Sequence, residues 1–539
     1  MSAFTFYGGV GEIGGNKVLL EDGDTRIWLD FGMSFAQMGC FFEEFLQPRS
    51  NAGVRDLLAL GILPPVEGIY RQDLIELPEI ELALSAIPDA PRDLWRCDLG
   101  SYDAYLDRHG RPFVDAVLVS HAHADHFQHL AYLDHRTPIV CSPITRLIMS
   151  AVSDLSGGSL EYEFCSVRRR HLNQARERSI FPGDWKIEKG DPLERNFQVI
   201  GDYEERCIGN LTVQGIPVDH SVPGAMAFLI TTSEGTRILY TGDFRFHGIF
   251  AEATARFREK VAALQPEIII TEGTRINNDR ADSEEFVYEN GLDLARKTTG
   301  LLMVDFGWKD TTRFLTLWRV AREAGRTFVI SAKLAYLLRL LWEYDPAHYP
   351  NPAEEDSIRI YLPRMGSLLY TRSDYTFTKY KAGYLTDWDK DQAQDEHFPG
   401  LSHWREGVRA YHIRQTPDRY LLMLSFWELN ELLDIRPPAD SCYIRAACEP
   451  FSDEMRLDEA RLKAWLRHFN VNTQWDSAPF QNHASGHIGG PELCEFLRSV
   501  KPRVIVPIHT EHPDAFEDLA ERVLRAEVGK RYALEPLLA

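Results

Sequence analysis

The chain has 539 residues, 59 of them Lys or Arg and 80 Asp or Glu, for a formal net charge of -21. A hydrophobic fraction of 44% and a charged fraction of 26% describe a globular protein with a large buried core and exclude a disordered or fibrous chain. The acidic balance excludes a protein that coats nucleic acid by bulk positive charge, but not a nucleic-acid enzyme with a local basic groove or bound cations.

In chain order, the first residues carry no basic stretch followed by an apolar one, so no secretory signal is expected. No apolar run approaches the roughly 18 residues of a membrane helix. Eight cysteines without a CxxC pair predict buried free thiols in a reducing compartment, and a cytoplasmic protein with no membrane association is the expectation. Short apolar runs then recur, each ending at a polar residue: 26–29 before Asp30, 116–120 before His121, 237–242 before Asp243, 267–271 before Glu272 and 503–508 before His509. Runs of this length, rich in β-branched residues, predict buried strands. Polar residues just past strand ends are where a sheet-based enzyme places its site. Between these runs, 36–112 and 153–207 read as loops or insertions. The texture changes after about residue 280. A strand at 301–304, a helix over 311–324 stopped by Gly325, a strand at 327–330 and a helix over 332–342 predict a β-α-β-α unit with a parallel sheet. The fold class expected is α/β.

Residues 121–126 read His-Ala-His-Ala-Asp-His. Four ligand-type side chains within six residues, at the end of a predicted strand, suit convergence on metal from a single loop. At these residues the chain resembles the metallo-β-lactamase fold. The opening run 8–16, Gly-Gly-Val-Gly-Glu-Ile-Gly-Gly-Asn, followed by 28–32, Trp-Leu-Asp-Phe-Gly, resembles the β-CASP nucleases of the RNase J type. Further motifs follow in that family's order: 220–223 His-Ser-Val-Pro, 241–246 Thr-Gly-Asp-Phe-Arg-Phe, 271–274 Thr-Glu-Gly-Thr, 483–487 His-Ala-Ser-Gly-His and 507–509 Pro-Ile-His.

The resemblance implies an αββα sandwich with an inserted β-CASP α/β domain: a first metallo-β-lactamase part at 1–280, the insert at 281–475 and the last part at 476–539. It implies one divalent ion on His121, His123 and His220 and a second on Asp125, His126 and His509, with Asp243 bridging. Imidazoles and carboxylates suit Zn²⁺, with Mn²⁺ an alternative that ligand type alone does not separate. Asp30 would orient ligands. His487 would act as the general acid, with Glu272 fixing its ring, and Asp125 would also serve the chemistry. His483, Ser485 and Gly486 would hold phosphate. His129, His247 and His512 adjoin the motifs but match no ligand position, so each is read as a supporting or surface residue.

Some features depart from the family pattern. Phe127-Gln128-His129 replaces small residues after the metal loop. The stretches 31–120 and 127–219 are long and would hold insertions that cover or gate the site. Residues 305–309, Asp-Phe-Gly-Trp-Lys, replace the family's Phe-Ala-Ser-Asn, so the resemblance does not carry phosphate contacts over to that strand. Only 30 residues follow His509, too few for the family's C-terminal dimerisation domain, so the resemblance does not carry dimerisation over and a homo-oligomer stays an open alternative. The basic residues Arg168, Arg169, Arg170 and His171, with Arg176 and Arg178, read first as a solvated helical face and second as a phosphate-contacting arm. Aromatic residues from Tyr370 to Tyr384 read first as core or interface and second as base-stacking groups.

The leading expectation is a two-metal ribonuclease acting on single-stranded RNA, exo or endo. His509 rather than Val in the last motif favours RNA over DNA within the resemblance. A DNA nuclease of the same fold, a non-cutting β-CASP scaffold and a hydrolase of small esters or lactones are the alternatives. The intact ligand set speaks against the scaffold, and an insert over the cleft speaks against the small-ester hydrolase.

Overall fold

A computed structural model describes residues 2–539 apart from 44, 50–52, 78–79, 82–88, 90–96, 157, 175–184, 365–406, 449, 451 and 474–481. Two seven-stranded sheets form its centre. In spatial order the first contains Arg531–Ala533, Ser2–Gly8, Lys17–Asp22, Thr25–Leu29, Ala116–Leu118, Ile139–Cys141 and Phe197–Val199. The second contains Arg522–Val523, Val504–Pro507, Ile268–Thr271, Arg237–Tyr240, Met226–Thr231, Leu211–Pro217 and Glu205–Ile208.

The apolar runs form strands because both faces of each sheet are covered. Along Thr25–Leu29, Ile27 and Leu29 point between the sheets, while Trp28 points to the outer layer. Ile268 and Ile270 likewise point between the sheets, and Ile269 points outward. The period of two thus survives inside runs with no polar residue to reveal it. Helices Ala251–Leu264 and Gly490–Val500 cover the second sheet through Phe257, Val261, Leu493 and Phe496. The outer face of the first sheet packs in one continuous cluster with helix Pro143–Asp154 and with helices of a third sheet. The architecture is an α/β sandwich of the order helix, sheet, sheet, helix.

The third sheet has six parallel strands in the order Ile358–Ile360, Thr327–Ile330, Tyr420–Met423, Leu302–Asp305, Cys442–Arg445 and Asn472–Thr473. The strand at 327–330 and both flanking helices, Thr311–Glu323 and Ala332–Tyr344, form as the periodicity predicts. However, Tyr420–Met423 lies between the two strands that are consecutive in sequence. The layer touches the sandwich where Tyr336 Oη donates to Asp154 Oδ2 at 2.9 Å.

Several expectations need correction. Residues 153–207 are not a plain insertion, since Phe197–Val199 and Glu205–Ile208 close one edge of each central sheet. The basic run is not helical: Ser166–Gln174 is a strand of a two-stranded hairpin with Trp185–Glu194. Arg168 and Arg169 are exposed, but Arg170 is buried. Arg176 and Arg178, and the aromatic run from Tyr370 to Tyr384, lie outside the described residues. All eight cysteines are free, but Cys40, Cys207 and Cys448 are exposed rather than buried. Among the described residues, no helix is long and apolar enough to cross a membrane.

Glu163 anchors the hairpin. Its carboxylate accepts from Arg71 Nη1 at 2.7 Å and from Arg170 Nη1 and Nη2 at 2.6 and 2.9 Å. Arg71 keeps a second carboxylate, Asp73, at 2.7 Å, whereas Arg170 has no other ion-pair partner among the described residues. Removing one member of a buried ion pair leaves an uncompensated charge, so Glu163→Ala is expected to cost about 3–5 kcal/mol. A lower guanidinium midpoint in equilibrium unfolding would show this, and an unmoved midpoint would refute it.

Candidate metal centre

The motif residues scattered from Asp30 to His509 converge at the strand ends of the two central sheets. His121 follows Ala116–Leu118, Asp243 follows Arg237–Tyr240, Glu272 follows Ile268–Thr271 and His509 follows Val504–Pro507. His220 follows Leu211–Pro217. Asp125 and His126 lie on the short helix Ala124–Phe127.

Three imidazoles meet on one side. His123 Nδ1 lies 3.1 Å from His121 Nε2 and 3.0 Å from His220 Nε2. Nitrogen ligands about 2.0–2.1 Å from a tetrahedral zinc ion would stand roughly 3.3 Å apart, close to this spacing. His220 donates its Nδ1–H to Gly486 O at 2.6 Å, which turns the Nε2 lone pair inward. Burial first, then neighbouring imidazoles, holds His121 and His220 well below the usual histidine range. Burial and then the Lys309 ammonium push His123 down to about 3. Neutral imidazole is the form that ligates a metal.

On the other side, His509 Nε2 lies 3.2 Å from Asp125 Oδ2, and His126 Nε2 lies 3.8 Å from the same oxygen. Asp243 Oδ2 is the hub. It stands 3.6 Å from His121 Nε2, 3.1 Å from His126 Nε2, 3.5 Å from His509 Nε2 and 3.7 Å from His487 Nδ1. Burial disfavours charge on His126, but Asp243, Asp125 and Asp30 outweigh it and raise that imidazole. Asp243, although buried, is held well below the carboxylate range by His126, His509 and His487.

Two buried polar atoms at the junction, His126 Nε2 and Asp243 Oδ1, have no hydrogen-bond partner. Unsatisfied buried donors and acceptors are costly. Divalent cations between these groups would satisfy both, so the donor set fits a metal pair. His121, His123, His220 and Asp243 form one compact group, Asp125, His126 and His509 form another, and Asp243, Glu272, His487 and His509 form a third that overlaps both.

The supporting residues are equally specific. Asp30 accepts from His126 Nδ1, Ser120 Oγ and Ser120 N, each at 2.7 Å, and from Tyr240 Oη at 2.5 Å. Its backbone is left-handed, with φ at 56°. Thr274 Oγ1 lies 2.8 Å from His509 Nδ1 and fixes that ring. Tyr240, Ser120 and Thr274 were given no role from the sequence, although Tyr240 and Ser120 adjoin motifs and Thr274 ends one. Partners of this kind typically matter by roughly 10–100-fold in metal affinity. Asp30→Ala is accordingly expected to weaken metal retention by about that factor in chelator competition. Full retention would show that Asp30 does not orient His126.

Glu272 donates no proton here but binds two groups: its Oε1 accepts from Phe244 N at 2.9 Å and its Oε2 from His487 Nδ1 at 2.9 Å. His487 Nε2 is thereby left as the exchangeable ring nitrogen. Burial lowers the pKa of this ring, but Glu272 and Asp243 more than offset it, holding His487 up at about 9. Its side chain is 21% exposed, against 1% for Asp243 and His509. His487 is therefore the member of this group most open to the outside.

Gly486 sits so close to the histidine cluster that a Cβ there would stand 2.8 Å from His220 Cε1 and 2.7 Å from Ser221 Oγ. Ser485 Oγ accepts from His487 N at 3.2 Å. His483 donates Nδ1–H to Ala446 O at 3.2 Å, and burial, then Arg313, push it down to about 3. Of the adjoining histidines, His129 is buried beside Tyr132, His512 is exposed, and His247 Nε2 reaches Ser485 O at 3.0 Å.

Two family models match the chain: a "Beta-lactamase superfamily domain" at residues 102–297 and a "Zn-dependent metallo-hydrolase RNA specificity domain" at residues 480–532. No curated protein matches. Among solved structures, a protein of unknown function from Enterococcus faecalis V583 is similar over 98% of this chain and 99% of its own, with 20% identity and a TM-score of 0.63. The metallo-beta-lactamase fold protein YhfI from Bacillus subtilis aligns over 52% of this chain and 74% of its own, with 12% identity and a TM-score of 0.25. The ligand-type residues from His121 to Asp243, together with His487 and His509, thus lie inside the two matched regions, and the chain carries a domain similar to the beta-lactamase superfamily at 102–297 and one similar to the Zn-dependent metallo-hydrolase RNA specificity domain at 480–532.

Proposed function

We propose that the protein is a two-metal ribonuclease that hydrolyses phosphodiester bonds of single-stranded RNA. The observation that carries this reading is the placement of a Glu272-held imidazole, His487, on the rim of the carboxylate that joins both ligand groups. The RNA specificity match, which spans His483 to His509, supports the choice of RNA. The layer at 281–475 serves as a β-CASP-like insert between metallo-β-lactamase parts at 1–280 and 476–539.

His121, His123 and His220 would hold one divalent ion, Asp125, His126 and His509 the second, and Asp243 both. Zn²⁺ fits this set best. Such a pair supplies an activated water and neutralises phosphate oxygens in an in-line displacement. The chain's own residues do the rest. His487 gives its Nε2 proton to the leaving oxygen while Glu272 holds the ring through Nδ1. Ser485 Oγ accepts from the His487 backbone and keeps its own proton for a phosphate oxygen. His483 and Gly486 complete the phosphate-holding turn. Lys309 brings positive charge toward His123 and Asp125 from the segment that departs from the family pattern.

The deciding experiment offers the metal-loaded protein matched RNA and single-stranded DNA, each with a 5′-monophosphate or a 5′-hydroxyl. Faster RNA cleavage is expected, and product lengths separate exo from endo action. Preference for DNA, or no cleavage of either, would overturn the reading.

A further inference from the structure

The turn that carries His487 makes little use of main-chain partners. Each carbonyl from 482 to 487 accepts a hydrogen bond from a side chain elsewhere. Arg313 takes Asn482 O at 3.2 Å and Ala484 O at 3.0 Å, and Arg280 takes His483 O at 3.4 Å. Arg245 and His247 take Ser485 O, each at 3.0 Å. His220 takes Gly486 O at 2.6 Å and Arg275 takes His487 O at 3.2 Å.

Arg313 stands apart because it belongs to the helix Thr311–Glu323 of the third sheet's layer, and it is fully buried. All five of its N–H groups are used. Nε and one Nη2 hydrogen reach Glu284 at 3.0–3.2 Å, Nη1 reaches Ala446 O at 2.6 Å as well as Asn482 O, and Nη2 reaches Ala484 O. Glu284 is fixed in turn by Thr316 Oγ1 at 2.7 Å. Thr312, the neighbour of Arg313, donates to Ser221 O at 3.2 Å, beside the ligand His220.

We propose that Arg313, held by Glu284, is a positioning residue that sets the 482–487 turn and through it the place of His487, so that the third sheet's layer completes the active centre of the sandwich. This inference rests on the ribonuclease reading for its catalytic consequence, though not for its structural one. Only a planar guanidinium offers five donors in one fork, whereas a lysine ammonium offers three in a tetrahedral arrangement.

The test compares Arg313→Lys and Glu284→Gln with the native chain. Amide hydrogen exchange of the metal-free proteins should rise about tenfold or more in peptides covering 482–488 and stay unchanged in the strand Val504–Pro507. With metals bound, RNA turnover should fall about 100-fold from a misplaced acid. Hydrolysis of bis(p-nitrophenyl) phosphate, whose leaving group needs no proton, should be largely kept. Unchanged exchange in the turn, or equal loss on both substrates, overturns the inference. If Arg313→Lys fails to fold, Glu284→Gln decides the matter by the same readings. A native chain that cuts no RNA, with the exchange result as expected, would sink the ribonuclease reading and leave the clamp standing.

Discussion

Replacing Asp243 with alanine is expected to abolish phosphodiester hydrolysis and to lower the bound metal below two ions per chain. One oxygen of Asp243 lies within 3.1–3.7 Å of nitrogens from His126, His509, His121 and His487. Its carboxylate therefore reaches both ligand groups. Its loss removes the bridging charge and leaves four imidazoles without the anion that gathers them. The rate loss should exceed the roughly 10²–10³-fold typical of a single electrostatic donor, because the cations themselves are lost with it. Metal content by elemental analysis and RNA cleavage are the two measurements. A third is the shift of melting temperature on adding metal, which should be large for the native chain and small for the variant, since a ligand stabilises only what it binds. Asp243→Asn separates charge from shape and should resemble the alanine variant. A variant that keeps two ions and most of the activity would overturn the placement of Asp243 at the bridge.

Why so much of this centre was legible lies in the sandwich itself. Strands buried on both faces must be apolar along their whole length, so the polar residue that ends each run stands out. Asp30, His121, Asp243, Glu272 and His509 were all marked in this way, and the fold brings their strand ends together. The middle layer was legible where helices and strands alternate at ordinary lengths, over 301–342. Its strand order was not, since Tyr420–Met423 enters between two strands that precede it by about a hundred residues.

The groups that hold the site in place were harder to see, because their spacing carries no period. Glu284, Arg313 and Asn482 meet across separations of 29 and 169 residues, and nothing local to any of them signals the meeting. Tyr240 is an inward apolar position by pattern, and its hydroxyl gains a task only through the approach of Asp30, to which it donates, and Asn16, from which it accepts. The hairpin at 166–194 was misread for a different reason. A register shift between Arg168 and Arg170 breaks the alternation, so a strand with one buried arginine looks like an unbroken run of solvated charge. The acidic total of -21 is likewise uninformative about the centre, where the carboxylates are matched by histidines, arginines and a fit for two cations.

His487→Ala is expected to keep both metal ions and lose most RNA cleavage, by about 10²–10⁴-fold, the usual range for removing a general acid. The argument is one of geometry. His487 forms a group of its own with Asp243, Glu272 and His509, but its Nδ1 is already committed to Glu272 at 2.9 Å, and the other two groups are complete without it. Its Nε2 is free of a protein partner among the described bonds, and its side chain is 21% exposed. Loss of the ring should therefore spare metal affinity and act on the leaving group. Glu272→Gln should give a smaller loss in the same direction, because the amide can still hold Phe244 N through its oxygen but no longer stabilises charge on the imidazole. A substrate carrying a bridging sulfur at the leaving position, which departs without a proton, should restore most of the rate to His487→Ala. If that substrate is cut no faster than ordinary RNA by the variant, or if metal is lost together with the ring, His487 belongs to the metal centre and the proton must come from elsewhere.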